Sequence, residues 1–496
     1  MIKMDPKHQI ILPNANAMIQ SLRSIGYSVE TAIADIIDNS IDASAHNIKV
    51  DMVWTAEKAY IRIEDDGIGM SEKELIQAMK IGSHNPLTKR GRTSLGRFGM
   101  GLKTAAFSIG KRLTVRSKVT EGMTFTRCWD LDYIEKTNNW SLLMQPFNDT
   151  STKNLGEIQG QSGTVVLIEN LDRIINTSFT ETKATKFFNR IEDVGKHLSM
   201  VFHRFLEGPR KIELKLNENT LTPWDPFLIK EFATQELPEE KLQIKGDIVS
   251  IQSYVLPHHT KLDAESYERA GGPKGWLDQQ GFYIYRNRRL LVSGSWLNLF
   301  GRGEAYKLAR IKVDISNESD FEWQIDIKKS SARPPQELLP FLKKIGEKTR
   351  GKSYDVFYHR GIKSTIKKKK SNEIEYVWEQ VNHKNQTIFK LNRSNSLIRE
   401  LISREDDLSK QLKFYLFHVE EYCPANIIRY HISQTPQEIK EPVPLEELKR
   451  MKLLVNMFKE MGMEFKDITD QILNYDSFKK YEVKELKKIL EEIYGG

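Results

Sequence analysis

Polar and apolar positions separate most sharply at residues 28–43, SVETAIADIIDNSIDA, where the spacing predicts a helix. Asp35, Asn39 and Asp42 lie four and three residues apart along one face, while Ile33, Ile36 and Ile37 fall on the other. Ser28, with Glu30 in the first turn, starts this helix after the break at Gly26. A shorter helix over residues 14–25 precedes it. Alternation then predicts strands at residues 48–54 and 60–64, the second running straight into Asp65-Asp66-Gly67-Ile68-Gly69-Met70. Ser71 and Glu74 have capping-box spacing and open a helix over residues 71–78. Strands follow at residues 113–119, 124–131 and 163–170, a helix at 180–206, and a mixture of strands and loops from 211 to 327. Residues 281–296 read as a strand, a basic turn and a second strand, and WQIDIKK (323–329) as a short strand. Residues 373–431 are helical or mixed. Leu448, Met451, Val455 and Phe458, then Val483, Leu486, Leu490 and Ile493, return to helical spacing. Such faces pack against a body by default; a partner or self-association surface is the sharper alternative.

At 496 residues the chain has room for two to four domains with sizeable cores. Hydrophobic residues at 39% and charged residues at 29% describe a soluble globular protein. The net charge of +8 favours an anionic partner, either nucleic acid or nucleotide phosphates. Arg286, Arg288, Arg289 and Arg302 are candidate DNA contacts, although a solvated turn between core strands fits the same residues. Only Cys128 and Cys423 occur, which excludes a disulfide scaffold, and no CxxC or HExxH spacing suggests zinc. The first residues do not read as a signal peptide, and no apolar run reaches the length of a membrane span. A cytoplasmic location without a membrane partner is expected. Residues 351–370 turn strongly basic and end in four consecutive lysines, which marks a domain boundary.

The chemistry concentrates near the N-terminus. A carboxylate, amide and carboxylate on one helix face are costly to bury unless they hold something. In DDGIG, two glycines one residue apart allow close backbone approach to a ligand, and Asp65 can accept from an exocyclic amine. Gly96, Gly99 and Gly101 followed by Lys103 have the makings of a phosphate cradle at a helix start. This is not a Walker loop, because Leu102 separates the last glycine from the lysine. It is not a Rossmann turn either, because no single strand leads into the glycines. Gly163-Thr164 alone is a turn into a strand.

Together, in this order, the four elements resemble the ATP-binding module of the GHKL superfamily of gyrase, heat-shock chaperones, histidine kinases and MutL. DNSIDASA with GRFGMGLKTAAFSIGKRLTVRSK is most similar to its microrchidia (MORC) group and bacterial relatives. The resemblance covers residues 10–175 closely and 180–340 more loosely. It implies an α/β fold: a Bergerat-type sandwich of helices on a mixed sheet at residues 1–178, then a transducer-like S5-type domain at 179–350. A basic linker at 351–372 and a mainly helical region at 373–496 follow.

For the site, the resemblance implies ATP and Mg²⁺, with Asn39 as the magnesium ligand. Asp65 matches the aspartate that binds adenine, and Thr164 the threonine that supports it. Gly67, Gly69 and Met70 lie beside the base, with Asp42 and Ala43 close by. Gly96, Arg97, Phe98, Gly99, Met100, Gly101, Lys103 and Thr104 form the phosphate-binding end of a lid, with Gly96 at its hinge. Asp35 stands where the family has its general-base glutamate, and is shorter by about 1.5 Å. The transducer lysine reaching the γ-phosphate is Lys328, with Lys329 as the alternative. The implied function is an ATPase that dimerises on ATP binding and clamps DNA, in a prokaryotic defence or restriction system. The alternatives are an ATP-sensing scaffold that recruits an effector protein encoded nearby, and an ATP-dependent chaperone.

Overall fold

The computed structural model describes residues 14–24, 26–55, 59–82, 95, 100–175, 180–244, 247–316, 319–320, 322–326, 331–358, 378–383, 386–393, 395–404, 406–423, 447–460, 462–473 and 483–495. They divide into two units, 1–361 and 362–496.

In the first unit, strands β1 (Asn47–Trp54), β2 (Ala59–Asp65), β3 (Arg112–Lys118), β4 (Thr124–Asp130), β5 (Gly163–Glu169), β6 (Glu213–Leu216) and β7 (Asn219–Thr220) form one sheet. Its order is β4-β3-β5-β2-β1-β6-β7. Only the β1–β6 pair is parallel. The helices are α1 (Ala15–Arg23), α2 (Val29–Asp42), α3 (Glu72–Met79), α4 (Gly101–Ile109), α5 (Leu131–Thr137), α6 (Asp149–Leu155) and α7 (Glu181–Val201). Side chains alternate across a strand, so Ile61 and Ile63 share a face with Asp65. Both isoleucines pack with Ile33, Ile36 and Ile37 of α2 and Phe107 and Ile109 of α4. Asp65 is therefore the polar end of the row that faces the helices. The capping boxes expected at Ser28 and Ser71 are both formed, with Thr31 rather than Glu30 completing the first.

A second sheet contains β8 (Gln235–Glu236), β9 (Glu240–Ile244), β10 (Asp247–Val255), β11 (Gly281–Arg286), β12 (Arg289–Ser295) and β13 (Ala309–Ile315). The order is β12-β11-β13-β10-β8, with β9 also on β10. Helices α8 (Ala264–Gly271), α9 (Gly275–Asp278) and α10 (Leu339–Tyr358) accompany it. One sheet face, with Phe282 and Ile284, packs on Leu342 and Ile345 of α10. The opposite residues Tyr283 and Tyr285 join the core of the first module through Leu198 of α7 and Phe202. Tertiary packing thus ties the two sheets together.

Several expectations change here. Arg286 and Arg289, read as DNA contacts, are each only 3% exposed. Arg286 is paired with Asp320 and Arg289 with Asp38 of α2. Arg288 is exposed and lies over Phe205, and Arg302 pairs with Asp278. Trp323 to Asp326 is turn and coil rather than strand, and Lys328 and Lys329 lie outside the described residues. The boundary expected at Gly351 falls inside α10. Lys103 also departs from expectation: its side chain is 2% exposed and its ammonium donates to the Ala78 carbonyl at 2.7 Å. Burial holds its pKa down at about 8.

The second unit holds a hairpin of Trp378–His383 with Gln386–Leu391, and helices Ser396–Ser403 and Asp407–Glu421. Helices Glu447–Glu460, Phe465–Leu473 and Val483–Gly495 close a small core on Met451, Val455, Phe458, Ile468, Leu486 and Leu490. The helical spacing in the sequence thus serves packing among these three helices. Among the described residues no helix is long and apolar enough to cross a membrane.

Asp38 is fully buried, with one oxygen 3.3 Å from the Arg289 guanidinium. Asp38→Ala leaves that cation uncompensated, so denaturant unfolding should show a loss of about 3–5 kcal/mol. The double variant with Arg289→Met should recover part of it, and a single-variant loss below about 1 kcal/mol would contradict the pairing. Lys103 makes a second prediction. Its folded pKa near 8 lies below the ordinary 10.5, so the unfolded chain binds more protons between those values. Stability from this group rises with pH from about 8 to 10.5 and is lower below that window. The urea midpoint of the wild type relative to Lys103→Met should climb across that range.

Candidate functional site

α2 lies with its C-terminal half over the end of β2. The β2–β5–β3 register places Asp65 opposite Thr164, and Thr164 opposite Ser117. These three polar residues form a transverse row on the helix-facing side of the sheet, continuing the apolar row beneath α2. Ser40, on the turn of α2 after Asn39, donates its hydroxyl to Asp65 Oδ2 at 2.7 Å. The Gly67 amide donates to Asp65 Oδ1 at 3.0 Å. Ser117 Oγ lies 2.8 Å from the Thr164 hydroxyl and accepts from the Met70 amide at 2.9 Å. Burial raises the Asp65 pKa, while the bonds from Ser40 and Gly67 work against that rise. Each carboxylate oxygen retains acceptor capacity beyond these single bonds.

The glycines beside this row are sterically required. Gly69 has φ of +68°, and a Cβ there would come within 1.8 Å of the Lys118 carbonyl oxygen. At Gly67 a Cβ would meet Ala43 O at 2.8 Å and Asp65 Oδ1 at 3.0 Å. Ala43 caps α2 and accepts from the Ile68 amide at 3.0 Å. The turn after β2 is thereby held against the end of α2.

On α2 the polar stripe divides. Asp35 is 2% exposed, whereas Asn39 and Asp42 are exposed. The Tyr27 hydroxyl donates to Asp35 Oδ2 at 2.8 Å. Burial, and then the Asp35 charge, push the Tyr27 pKa far above its ordinary value. Asp326 acts in the same direction, which brings the segment after β13 within electrostatic reach. Asn39 donates its amide to the Asp35 carbonyl at 3.2 Å. Both oxygens of Asp42 accept from the Leu95 amide, at 2.8 and 3.0 Å. Gly101 opens α4 beside Asp35, and Met100 and Gly101 accept from the Thr104 hydroxyl.

The structure thus brings together Asp35, Asn39, Asp42, Ala43, Asp65, Gly67, Gly69, Met70, Gly101, Thr104 and Thr164, and turns the Lys103 ammonium away toward α3. Gly96, Arg97, Phe98 and Gly99 lie outside the described residues. Sequence reasoning missed Tyr27, Ser40 and Ser117. Ser40 adjoins Asn39 and follows from the helix turn; Ser117 is visible only once the strand register is known.

The donor set fits ATP with Mg²⁺. A buried carboxylate beside a glycine turn suits an exocyclic amine, and the start of α4 suits phosphate oxygens. Among the described residues no group of three or more His, Cys, Asp or Glu could hold a metal. That agrees with Mg²⁺ bound through one amide and phosphate oxygens rather than an all-protein cage.

Residues 27–164 match the family of histidine kinase-, DNA gyrase B- and HSP90-like ATPases. Among known proteins, ATPase morc-1 of Caenorhabditis elegans is 28% identical over 178 residues, 29% of this chain and 21% of that protein. Protein MICRORCHIDIA 2 of Arabidopsis thaliana is 25% identical over 293 residues, 56% of this chain and 43% of that one. MORC family CW-type zinc finger protein 3 of Mus musculus is 28% identical over 96 residues, 19% and 10% of the two chains. The chain spans less than half the length of each of these relatives. The matched span contains α2, the Asp65 turn, α4 and Thr164, and on these grounds the chain is a MORC-like protein with an N-terminal GHKL ATPase domain.

Proposed function

We propose that this protein binds and hydrolyses ATP in the presence of Mg²⁺ and uses the bound state to close a homodimer on DNA. The observation that carries this reading is the buried row of Asp65, Thr164 and Ser117 under Ser40, a polar recognition edge at the mouth of an apolar core. In the proposed roles, Asp65 accepts from the adenine amine, and Thr164 with Ser117 fixes that carboxylate's surroundings. Asn39 is oriented by its bond to the Asp35 carbonyl, so that its own carbonyl oxygen is available to the metal. Mg²⁺, when bound, supplies charge neutralisation on the phosphate oxygens. Asp35 orients the attacking water and accepts its proton, with Tyr27 steadying one oxygen. The name of the relative ATPase morc-1 supports turnover.

The net charge of +8 supports an anionic macromolecule as partner. With Arg286 and Arg289 internal, DNA contacts are assigned to other basic surfaces and to the lysine run at 367–370. A cytoplasmic role in prokaryotic defence, with an effector encoded nearby, follows from resemblance to bacterial MORC-like proteins. A second reading, an ATP sensor that recruits an effector with little turnover, is favoured by the Tyr27 hydroxyl on the aspartate that replaces glutamate.

Light scattering of the full chain tests the clamp. A non-hydrolysable ATP analogue with Mg²⁺ should double the mass of the wild type and leave Asn39→Ala unchanged; an unchanged wild-type mass removes the clamp. Single-turnover hydrolysis separates ATPase from sensor. Asp35→Asn should fall by about 10²–10⁴-fold, the usual share of a general base, with Asp35→Glu at or below wild type. Turnover gained only in Asp35→Glu would favour the sensor.

A further inference from the structure

Leu95 immediately precedes Gly96, the hinge implied for the lid, and it is anchored at three points. Its side chain is 2% exposed and packs in the core with α2 and α4. Its amide donates to both oxygens of Asp42, at the end of α2. Its carbonyl accepts from Arg286 Nη1 at 3.0 Å. One residue of the nucleotide module is therefore gripped from opposite sides, by the helix that carries Asn39 and by the second sheet.

The grip from the second sheet is rigid. Arg286 ends β11 and is 3% exposed. Its Nε and Nη2 take the two oxygens of Asp320 at 2.5 and 2.7 Å, a bidentate fork that fixes the guanidinium plane. With that edge committed, Nη1 is directed at the Leu95 carbonyl. Asp320 lies in the stretch that leads to Asp326, whose charge acts on Tyr27 beside Asp35. A lysine could keep the charge but not all three bonds, because its donors radiate from one nitrogen.

We propose that Arg286 is a positioning residue that locks the root of the lid to the second domain, making lid closure and the stance of that domain one two-state element. The proposal rests on the ATP-site reading. A nucleotide that favours the closed lid must then also bias the second domain, and the domain must bias nucleotide affinity by the same factor. The terminal phosphate is what a lid senses, so the coupling should appear as a preference for triphosphate over diphosphate.

Calorimetric titration of the full chain with ADP and with a non-hydrolysable ATP analogue, both with Mg²⁺, tests this. In Arg286→Lys the analogue should bind about tenfold more weakly, within the usual range of coupling factors. ADP affinity should stay within about twofold of wild type and the unfolding midpoint close to it. Asp320→Asn, which keeps the shape but loses one limb of the fork, should shift the same preference by a smaller factor. It decides the matter if Arg286→Lys fails to fold. Equal weakening of both nucleotides would mean a merely structural role and overturn the proposal, as would an unchanged preference in the folded variants. Wild-type protein that binds neither nucleotide would overturn the ATP-site reading itself, and this proposal with it.

Discussion

Helix α2 buries two carboxylates three residues apart, Asp35 and Asp38, at 2% and 0% exposure. A carboxylate in an apolar core is tolerated only where other groups replace water around it. No residue of α2 itself is printed in either pair: Asp35 receives the hydroxyl of Tyr27, just before the helix, and Asp38 faces Arg289 of β12. The second partner lies 251 residues further along the chain. The floor of the nucleotide site therefore depends on a hairpin of the other sheet. The extensive apolar contact through α7 brings the sheets together, and the ion pair fixes how α2 is seated against them.

That hairpin is built for the task. Asn287 and Arg288 have φ of +48° and +72°, the two left-handed residues of a tight two-residue turn that matches strand twist. An arginine in that region is strained. Arg288 offsets the cost by donating to the Arg204 carbonyl and lying 4.9 Å over the Phe205 ring. The turn sets Arg286 and Arg289 directly opposite each other across the ladder. Like charges at such positions repel. Here each has its own carboxylate, Asp320 for one and Asp38 for the other. The pair can then serve as two fixed prongs, one on α2 and one on Leu95.

Much of this was legible locally and little of it at long range. The period of α2, the Ser71 capping box and the strand alternation announce themselves because each is decided by neighbours within a few residues. The glycine turn after Asp65 is legible for the same reason. Ser117 and the row it completes depend on strand register, which no local pattern encodes. Arg286 and Arg289 sit in a basic run, and such runs are ordinarily solvated; only their distant carboxylates make them internal. Lys103 misleads in the opposite way. Its place after three glycines suits a phosphate, but on α4 its side chain runs toward the carbonyl of Ala78 and into the core. Trp323 to Asp326 alternates like a strand yet is turn and coil, with the Trp323 ring buried in the second core.

The same packing bears on the shortened carboxylate. Gly101 begins α4 so close to Asp35 that a Cβ on it would lie 3.5 Å from Asp35 Oδ2, ordinary van der Waals contact. Tyr27 closes on the same oxygen at 2.8 Å. A glutamate at this position would reach about 1.5 Å further and meet either the start of α4 or the tyrosine hydroxyl. The aspartate is thus matched to a helix start that approaches α2 closely, and the missing carbon need not mean a missing function. The backbone of α4 comes toward the carboxylate, in place of a longer side chain reaching toward it. The distance that governs in-line attack is the one between carboxylate and water, and either arrangement can set it. What distinguishes them is rigidity: a short side chain braced by a buried hydroxyl has fewer rotamers to lose than a longer one.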